Sequence, residues 1–228
     1  MPIPDKYLAD FNEGCIYHVY NRTNNKEKLF LSDENRIFFL KRYSEILSPF
    51  ADTFCWGLLP NHFHFLIRVK SHAEIIAWLS AKPGLTTFKG LSTLTLTEKE
   101  FVQNETTLGE LIEQSFKRFF QSYSLAFNKQ HNRKGNLFHR PFKRVEINKE
   151  SHFTQAVIYI HANAQHHRLC KDFTRYKWSS WHTMLSDLPT QIKRSEVLQW
   201  FGGLQQFIII HKSMSNYYYI DFDSIEEG

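Results

Sequence analysis

The 228-residue chain has only three cysteines. Cys15, Cys55 and Cys170 are odd in number and far apart, which excludes a complete disulfide frame and fits free thiols in a reducing compartment. No apolar run reaches the roughly 18 residues that a membrane span needs. The opening Met1-Pro2-Ile3-Pro4-Asp5-Lys6 has no basic region followed by an apolar one, so neither export nor membrane association is expected, and the location expected is cytoplasmic. Internal repeats and long low-complexity linkers are missing too. Acidic residues are absent from 117–144, where average composition would place about three.

That same stretch holds eight cations: Lys117, Arg118, Lys129, Arg133, Lys134, Arg140, Lys143 and Arg144. With a net charge of +5 and a pI of about 9.0, this positive segment favours a polyanionic partner. It also carries Phe119, Phe120, Tyr123, Phe127, Phe138 and Phe142. Cations interleaved with rings suit single-stranded nucleic acid, through phosphate neutralisation and base stacking. Yet positions 116, 119, 120, 123 and 127 follow helical spacing, so most of those rings are expected in the core.

Hydrophobic residues make up 42% of the chain, enough for one sizeable domain or a core with appendages. Residues 15–21 alternate and are β-prone, which predicts a strand. A helix follows from a Ser32 N-cap to about Leu47, with Ile37, Phe39, Leu40, Tyr43, Ile46 and Leu47 as its apolar side. Strands at 53–59 and 62–69 are joined by Pro60-Asn61, a dipeptide suited to a tight connection. Residues 71–106, with a short helical patch at 73–80, read as an insertion or lid. Thr107-Leu108-Gly109-Glu110 is a capping-box pattern and opens a helix to about Asn128. Turn residues at 132–136, a strand at 142–147 and a helix at 149–164 complete the order. The fold class expected is α+β, with a ferredoxin-like (RRM-like) βαββαβ core, an antiparallel sheet and a C-terminal helical extension. Residues 1–182 form the core on this reading and 183–228 the extension, which contains an amphipathic piece at 197–201 stopped by Gly202-Gly203.

Within the strand at 62–69, His62-Phe63-His64 puts two imidazoles on one face and Phe63 on the other. Two such histidines can chelate a metal, or simply pack and hydrogen-bond. In the helix at 149–164, Gln155, Tyr159 and Asn163 are four residues apart and share a face, while Phe153, Val157, Ile160 and Ala164 can bury the other. If that helix faces the histidines, two imidazoles and an amide oxygen make a three-ligand site for magnesium, manganese or zinc. A tyrosine on an amphipathic helix is also an ordinary core or rim residue. His18, His161, His166 and His167 are further candidates, although Gln165-His166-His167-Arg168 suits a solvated helix end. A zinc hydrolase using His62, His64 and either His18 or His161 is the alternative chemistry.

Four stretches, taken in order, carry a resemblance. They are Gly14-Cys15-Ile16-Tyr17-His18-Val19-Tyr20-Asn21-Arg22, then Leu59-Pro60-Asn61-His62-Phe63-His64-Phe65-Leu66-Ile67, then Tyr159-Ile160-His161-Ala162-Asn163, then Trp178-Ser179-Ser180-Trp181. Together with Asn132-Arg133-Lys134-Gly135-Asn136-Leu137-Phe138 they resemble the one-tyrosine HUH transposases, in particular the REP-associated, insertion-sequence-200-like group. The resemblance spans about residues 10–182 and is poor over 71–106. It implies that Tyr159 is the nucleophile, that His62, His64 and Asn163 hold Mg2+ or Mn2+, and that the reaction cleaves and rejoins single-stranded or hairpin DNA through a 5′-phosphotyrosine. It further implies a nucleoid-associated protein, a possible homodimer, and DNA contacts from Arg133, Lys134, Arg140, Lys143 and Arg144. A non-catalytic nucleic-acid-binding descendant is the alternative. One departure stands out: Asn163-Ala164 replaces the family's frequent Asn-Pro, which bears on where the helix ends.

Overall fold

The computed structural model describes residues 4, 7–81 and 94–216. Part of the insertion (82–93) and the acidic tail (217–228) lie outside the described residues. The fold is α+β, and among the described residues it has four antiparallel strands: β1 (Ile16–Arg22), β2 (Ala51–Leu58), β3 (His62–Val69) and β4 (Lys143–Glu146), in the order β2-β3-β1-β4. Among the described residues no helix is long and apolar enough to cross a membrane. No disulfide forms; Cys55 is buried and Cys15 and Cys170 are half-buried.

Side-chain alternation sorts the sheet into two faces. Tyr17, Val19, Phe63, Phe65, Ile67 and Val69 point to one side and pack with α1 (Asp33–Leu47) and α4 (Leu108–Gln130). Helix α1 starts where Ser32 accepts a hydrogen bond from the Asn35 amide, and Asp33 and Glu34 complement its dipole. Its buried stripe is Asn35, Phe39, Tyr43, Ile46 and Leu47. Ile37, expected on that side, is 59% exposed, because two residues from Phe39 is a rotation of about 200°.

Helix α4 begins with the expected capping box, Thr107 and Glu110 each satisfying the other's backbone amide. It buries Leu111, Ile112, Phe116, Phe119, Phe120, Tyr123 and Phe127. Phe138 and Phe142 are buried as well, so all six rings of the basic segment belong to the core and none is a free stacking platform. The described part of the insertion supplies two short helices, α2 (His72–Ala81) and α3 (Leu96–Val102), the latter also opened by a capping box, Thr95 with Glu98.

The opposite face takes α5 (Glu150–His166), α6 (Trp181–Leu185), α7 (Arg194–Trp200) and α8 (Leu204–Met214). Phe54, Cys55 and Leu66 of the sheet, Phe153, Val157, Ile160 and Ala162 of α5, and Trp181, Met184, Val197 and Phe207 form one apolar cluster there. Helix α5 is therefore buried on two sides, by the sheet and by the C-terminal helices; the expected single apolar face is too narrow a description. Without proline at 164 the helix runs three residues past Asn163. It closes when Leu169 N–H reaches the Ala164 carbonyl at 2.9 Å and Arg168 N–H the Gln165 carbonyl at 2.9 Å, with Arg168 at φ 57°.

Candidate metal and nucleophile site

Residues of even number on β1 and β3 point toward α5. In the antiparallel register His64 lies opposite Tyr20, His62 opposite Arg22, and His18 opposite Leu66. His18 and His64 are thus diagonal neighbours on the α5 face. The turn before His62 is pinned from outside: the Pro60 carbonyl accepts from the amides of Leu29 and Phe30, and the Asn61 carbonyl from that of Thr23.

Helix α5 approaches this face over Gly57, which sits opposite His64 on β2. A Cβ at Gly57 would lie 2.9 Å from the Ile160 carbonyl oxygen, so only glycine lets the α5 backbone rest there. One turn of that helix then meets the histidines. The Tyr159 ring stands edge-on at 5.8 Å from His64 and 6.0 Å from His18, between ring centroids. Asn163 Oδ1 is 3.4 Å from His62 Nε2. His62 and His64 are 5.2 Å apart and perpendicular. Gln155, the first member of the four-residue stripe, is half-buried two turns before Asn163.

The cluster is dry. His64, Tyr159 and Asn163 are 0% exposed, His18 is buried and His62 half-buried. Burial pushes His18 down to about 3 and, with His167 adding repulsion, His62 also to about 3. His64 is driven well below the usual histidine range, first by burial and then by His18 and His62. Neutral imidazoles are the form that binds metal. His62 Nδ1 lies 2.8 Å from Asn61 Oδ1 and His64 Nδ1 lies 2.9 Å from His18 Nε2, so each imidazole is held at its Nδ1 side. With the His62 proton on Nδ1, toward the nearer Asn61 Oδ1, His62 Nε2 and Asn163 Oδ1 are two lone-pair atoms facing each other, and Asn163 Nδ2 is buried with no hydrogen-bond partner among the described residues. That donor set fits a divalent cation held by His62, His64 and Asn163. Among the described residues no group of three or more His, Cys, Asp or Glu is arranged to hold a metal ion; the set here depends on an amide.

His161 points elsewhere. Its Nδ1 bonds His211 Nε2 at 3.0 Å and its Nε2 bonds Ser180 Oγ at 2.8 Å, so both ring nitrogens are committed, and the three-histidine zinc arrangement through His161 has no donor left. His166 bonds the Ser215 carbonyl at 2.9 Å, while the exposed His167 lies 4.9 Å from the His62 ring.

The expected DNA-contacting cations separate into two kinds. Arg144 is 7% exposed: its guanidinium donates to the Ala9 carbonyl at 2.6 Å and to Glu113 at 3.0 Å, between the rings of Phe11 and Phe142. Arg133 ties its own turn together through Glu27, Asn128, Gly135 and Asn136. Lys134 and Arg140 are exposed. Lys143 projects on the α5 face, 4.8 Å from the Tyr7 ring and 5.9 Å from the Tyr20 ring. Arg22, exposed on the same face beside His62, adds a cation to the site that the charge pattern of 117–144 does not point to; its parity with His18 on β1 is the sequence signal for it. A cavity of about 640 Å³ lies between α4 and residues 135–142, lined by Lys117, Gln121 and Arg140 among others, and contains none of the histidines of the cluster.

No family model matches the chain, and no curated protein matches it. A solved structure is similar. It is a REP-associated tyrosine transposase bound to a REP hairpin, 14% identical, with a TM-score of 0.49 over 84% of this chain and 90% of that one.

Proposed function

We propose that this chain is a metal-dependent tyrosine transposase of the HUH kind, a nuclease and strand transferase for single-stranded or hairpin DNA. One observation carries the reading: Tyr159 and Asn163, one turn apart on α5, lie against His64 and His62 of β3 within one chain. The strand order β2-β3-β1-β4, with α1 and α4 on one face, supports a ferredoxin-like core in which α5 is the nucleophile helix. The reading entails a cytoplasmic, nucleoid-associated protein, and the short distances favour use of Tyr159 within its own subunit, in a monomer or a homodimer.

His62 Nε2, His64 Nε2 and Asn163 Oδ1 would hold Mg2+ or Mn2+. Bound there, such an ion supplies Lewis-acid polarisation of the scissile phosphate. Tyr159 Oη attacks phosphorus and forms the 5′-phosphotyrosine bond while the bond to the 3′ oxygen breaks; the phenol loses its proton and the 3′ oxygen ends as a hydroxyl. Rejoining runs in reverse, with a 3′-hydroxyl attacking the phosphotyrosine, so no ATP is consumed. Arg22 on the α5 face and the exposed Lys134 and Arg140 are cations that phosphates could reach, and Lys143 projects on that same face. Because Tyr159 is fully buried, cutting requires a displacement of α5 or of the helices covering it.

The test is a labelled set of hairpin oligonucleotides incubated with the protein and Mg2+ or Mn2+. A protein–DNA adduct that survives denaturation is expected from the wild type and is absent from Tyr159→Phe. The burial of Tyr159 also favours a second reading, a non-catalytic nucleic-acid-binding descendant. Binding of the hairpins with no adduct from the wild type would decide for it.

A further inference from the structure

His18 lies outside the proposed ligand set, yet it makes a direct polar contact to a member of it. His18 Nε2 is 2.9 Å from His64 Nδ1, and both rings are buried, at 1% and 0% exposure. Two neutral imidazoles that meet nitrogen to nitrogen share one proton, which sits on one ring or the other. If it sits on His18 Nε2, His64 carries its own proton on Nε2 and cannot ligate through that atom. If it sits on His64 Nδ1, then His64 Nε2 is a bare lone pair. His62 offers the matching case: its Nδ1 lies 2.8 Å from the Asn61 Oδ1 acceptor against 3.4 Å from Nε2 to Asn163 Oδ1, so the shorter contact favours the proton on Nδ1 and a bare Nε2. Tyr20 stacks on His18 at 4.9 Å and 25° and on His64 at 5.8 Å and 21°, and the two imidazoles are within 25° of parallel with centroids 5.1 Å apart, which suits an in-line N–H···N bond at 2.9 Å.

We infer that His18 is a positioning residue: it accepts a hydrogen bond from His64 Nδ1–H and thereby fixes the tautomer in which His64 presents Nε2 to a divalent cation. The inference rests on the proposed metal site but makes a separate claim about the protein without metal. A hydrogen-bonded partner on the far nitrogen of a ligating histidine orients the ring and raises its basicity, and its loss typically costs about 10–100-fold in affinity.

Two measurements test it. Long-range 1H–15N spectra of the metal-free wild type, with the His64 ring assigned by comparison with His64→Gln, should report His64 protonated at Nδ1; protonation at Nε2 would overturn the inference whatever the metal does. Titration with Mn2+, followed by calorimetry or EPR, is then compared among the wild type, His18→Phe and His18→Gln. Phenylalanine keeps the ring and its stacking on Tyr20 but accepts no hydrogen bond, so affinity should fall about 10–100-fold. Glutamine carries a carboxamide oxygen near the position of Nε2 and should restore most of it. Equal affinity in His18→Phe and the wild type would show that the residue only packs, and equal loss in both variants would sink the hydrogen-bond assignment. A wild type that binds no Mn2+ would instead overturn the metal site itself, and this inference with it.

Discussion

Two histidine clusters flank α5, and they differ in how their polar atoms are finished. In the His161 cluster every atom is spoken for. Trp56 N–H donates to Ser180 Oγ, whose hydroxyl donates to His161 Nε2; His161 Nδ1–H donates to His211 Nε2, and His211 Nδ1–H donates to the Phe207 carbonyl. A backbone donor at one end and a backbone acceptor at the other leave a single tautomer for each ring. The cluster of His18, His62, His64 and Asn163 ends differently, with an imidazole nitrogen facing an amide oxygen and an amide nitrogen that finds no partner among the described residues. A closed chain holds elements together. The other cluster is left unfinished, and the proposed metal site rests on that difference.

The sharpest way to break this contrast is to mutate one member of each. His64→Ala should abolish measurable Mn2+ binding and adduct formation, whereas His161→Ala should leave the metal affinity of the folded fraction within a few-fold while costing roughly 3 kcal/mol of stability in a denaturant titration, from a lost hydrogen-bond chain and a cavity. Loss of metal binding in His161→Ala with stability unchanged would reverse the two assignments.

Next in size is Arg144, set against the exposed cations. Arg144→Ala removes a buried guanidinium between Phe11 and Phe142, and the expected cost is roughly 2–3 kcal/mol in folding. Gly57→Ala links the clusters, since it forces α5 away from the sheet opposite His64. It should cost about 1–3 kcal/mol and lower Mn2+ affinity as well; an unchanged affinity would mean that the helix does not set the site.

Acid acts on both clusters. Burial holds His18, His62 and His211 at about 3 in the folded chain, against an ordinary value near 6.5, so below pH 6.5 the unfolded chain takes up protons that the folded chain does not. Stability should be flat with respect to these groups above pH 6.5 and fall steadily toward pH 3. Replacing His211 by leucine should make the slope of Tm against pH shallower over that window; an unaltered slope would place the acid sensitivity elsewhere. The smallest effect expected is that of Lys134→Ala, which should leave folding unchanged and reduce the salt dependence of DNA binding by about one unit of slope.

Much of this was legible beforehand where local chemistry decides. The Thr107 and Ser32 caps, the helical spacing of the α4 rings and the alternation through His62-Phe63-His64 each depend on a few neighbouring residues, and the corresponding elements formed within a residue or two of the expected bounds. The departures have different causes. Ile37 lies about 200° round the helix from Phe39 and faces solvent; Arg144 is taken up by the Ala9 carbonyl and Glu113, partners supplied by distant parts of the chain. Helical spacing places Asn163 with Tyr159 and turns His161 about 200° away, but only if residues 159–163 form a helix that packs on the sheet does that exclude His161 as a ligand.

By itself the sequence determined the parity of a strand and the periodicity of a helix: His62 with His64 on one side, Tyr159 with Asn163 on another, because backbone geometry repeats every two residues in one and every 3.6 in the other. Only the tertiary structure decided that these two sides face each other, that Gly57 lets them approach, and that His18 rather than His161 completes the cluster. Those outcomes depend on which strands pair and which helix covers the sheet, and contacts between residues a hundred positions apart leave no local periodicity from which to read them.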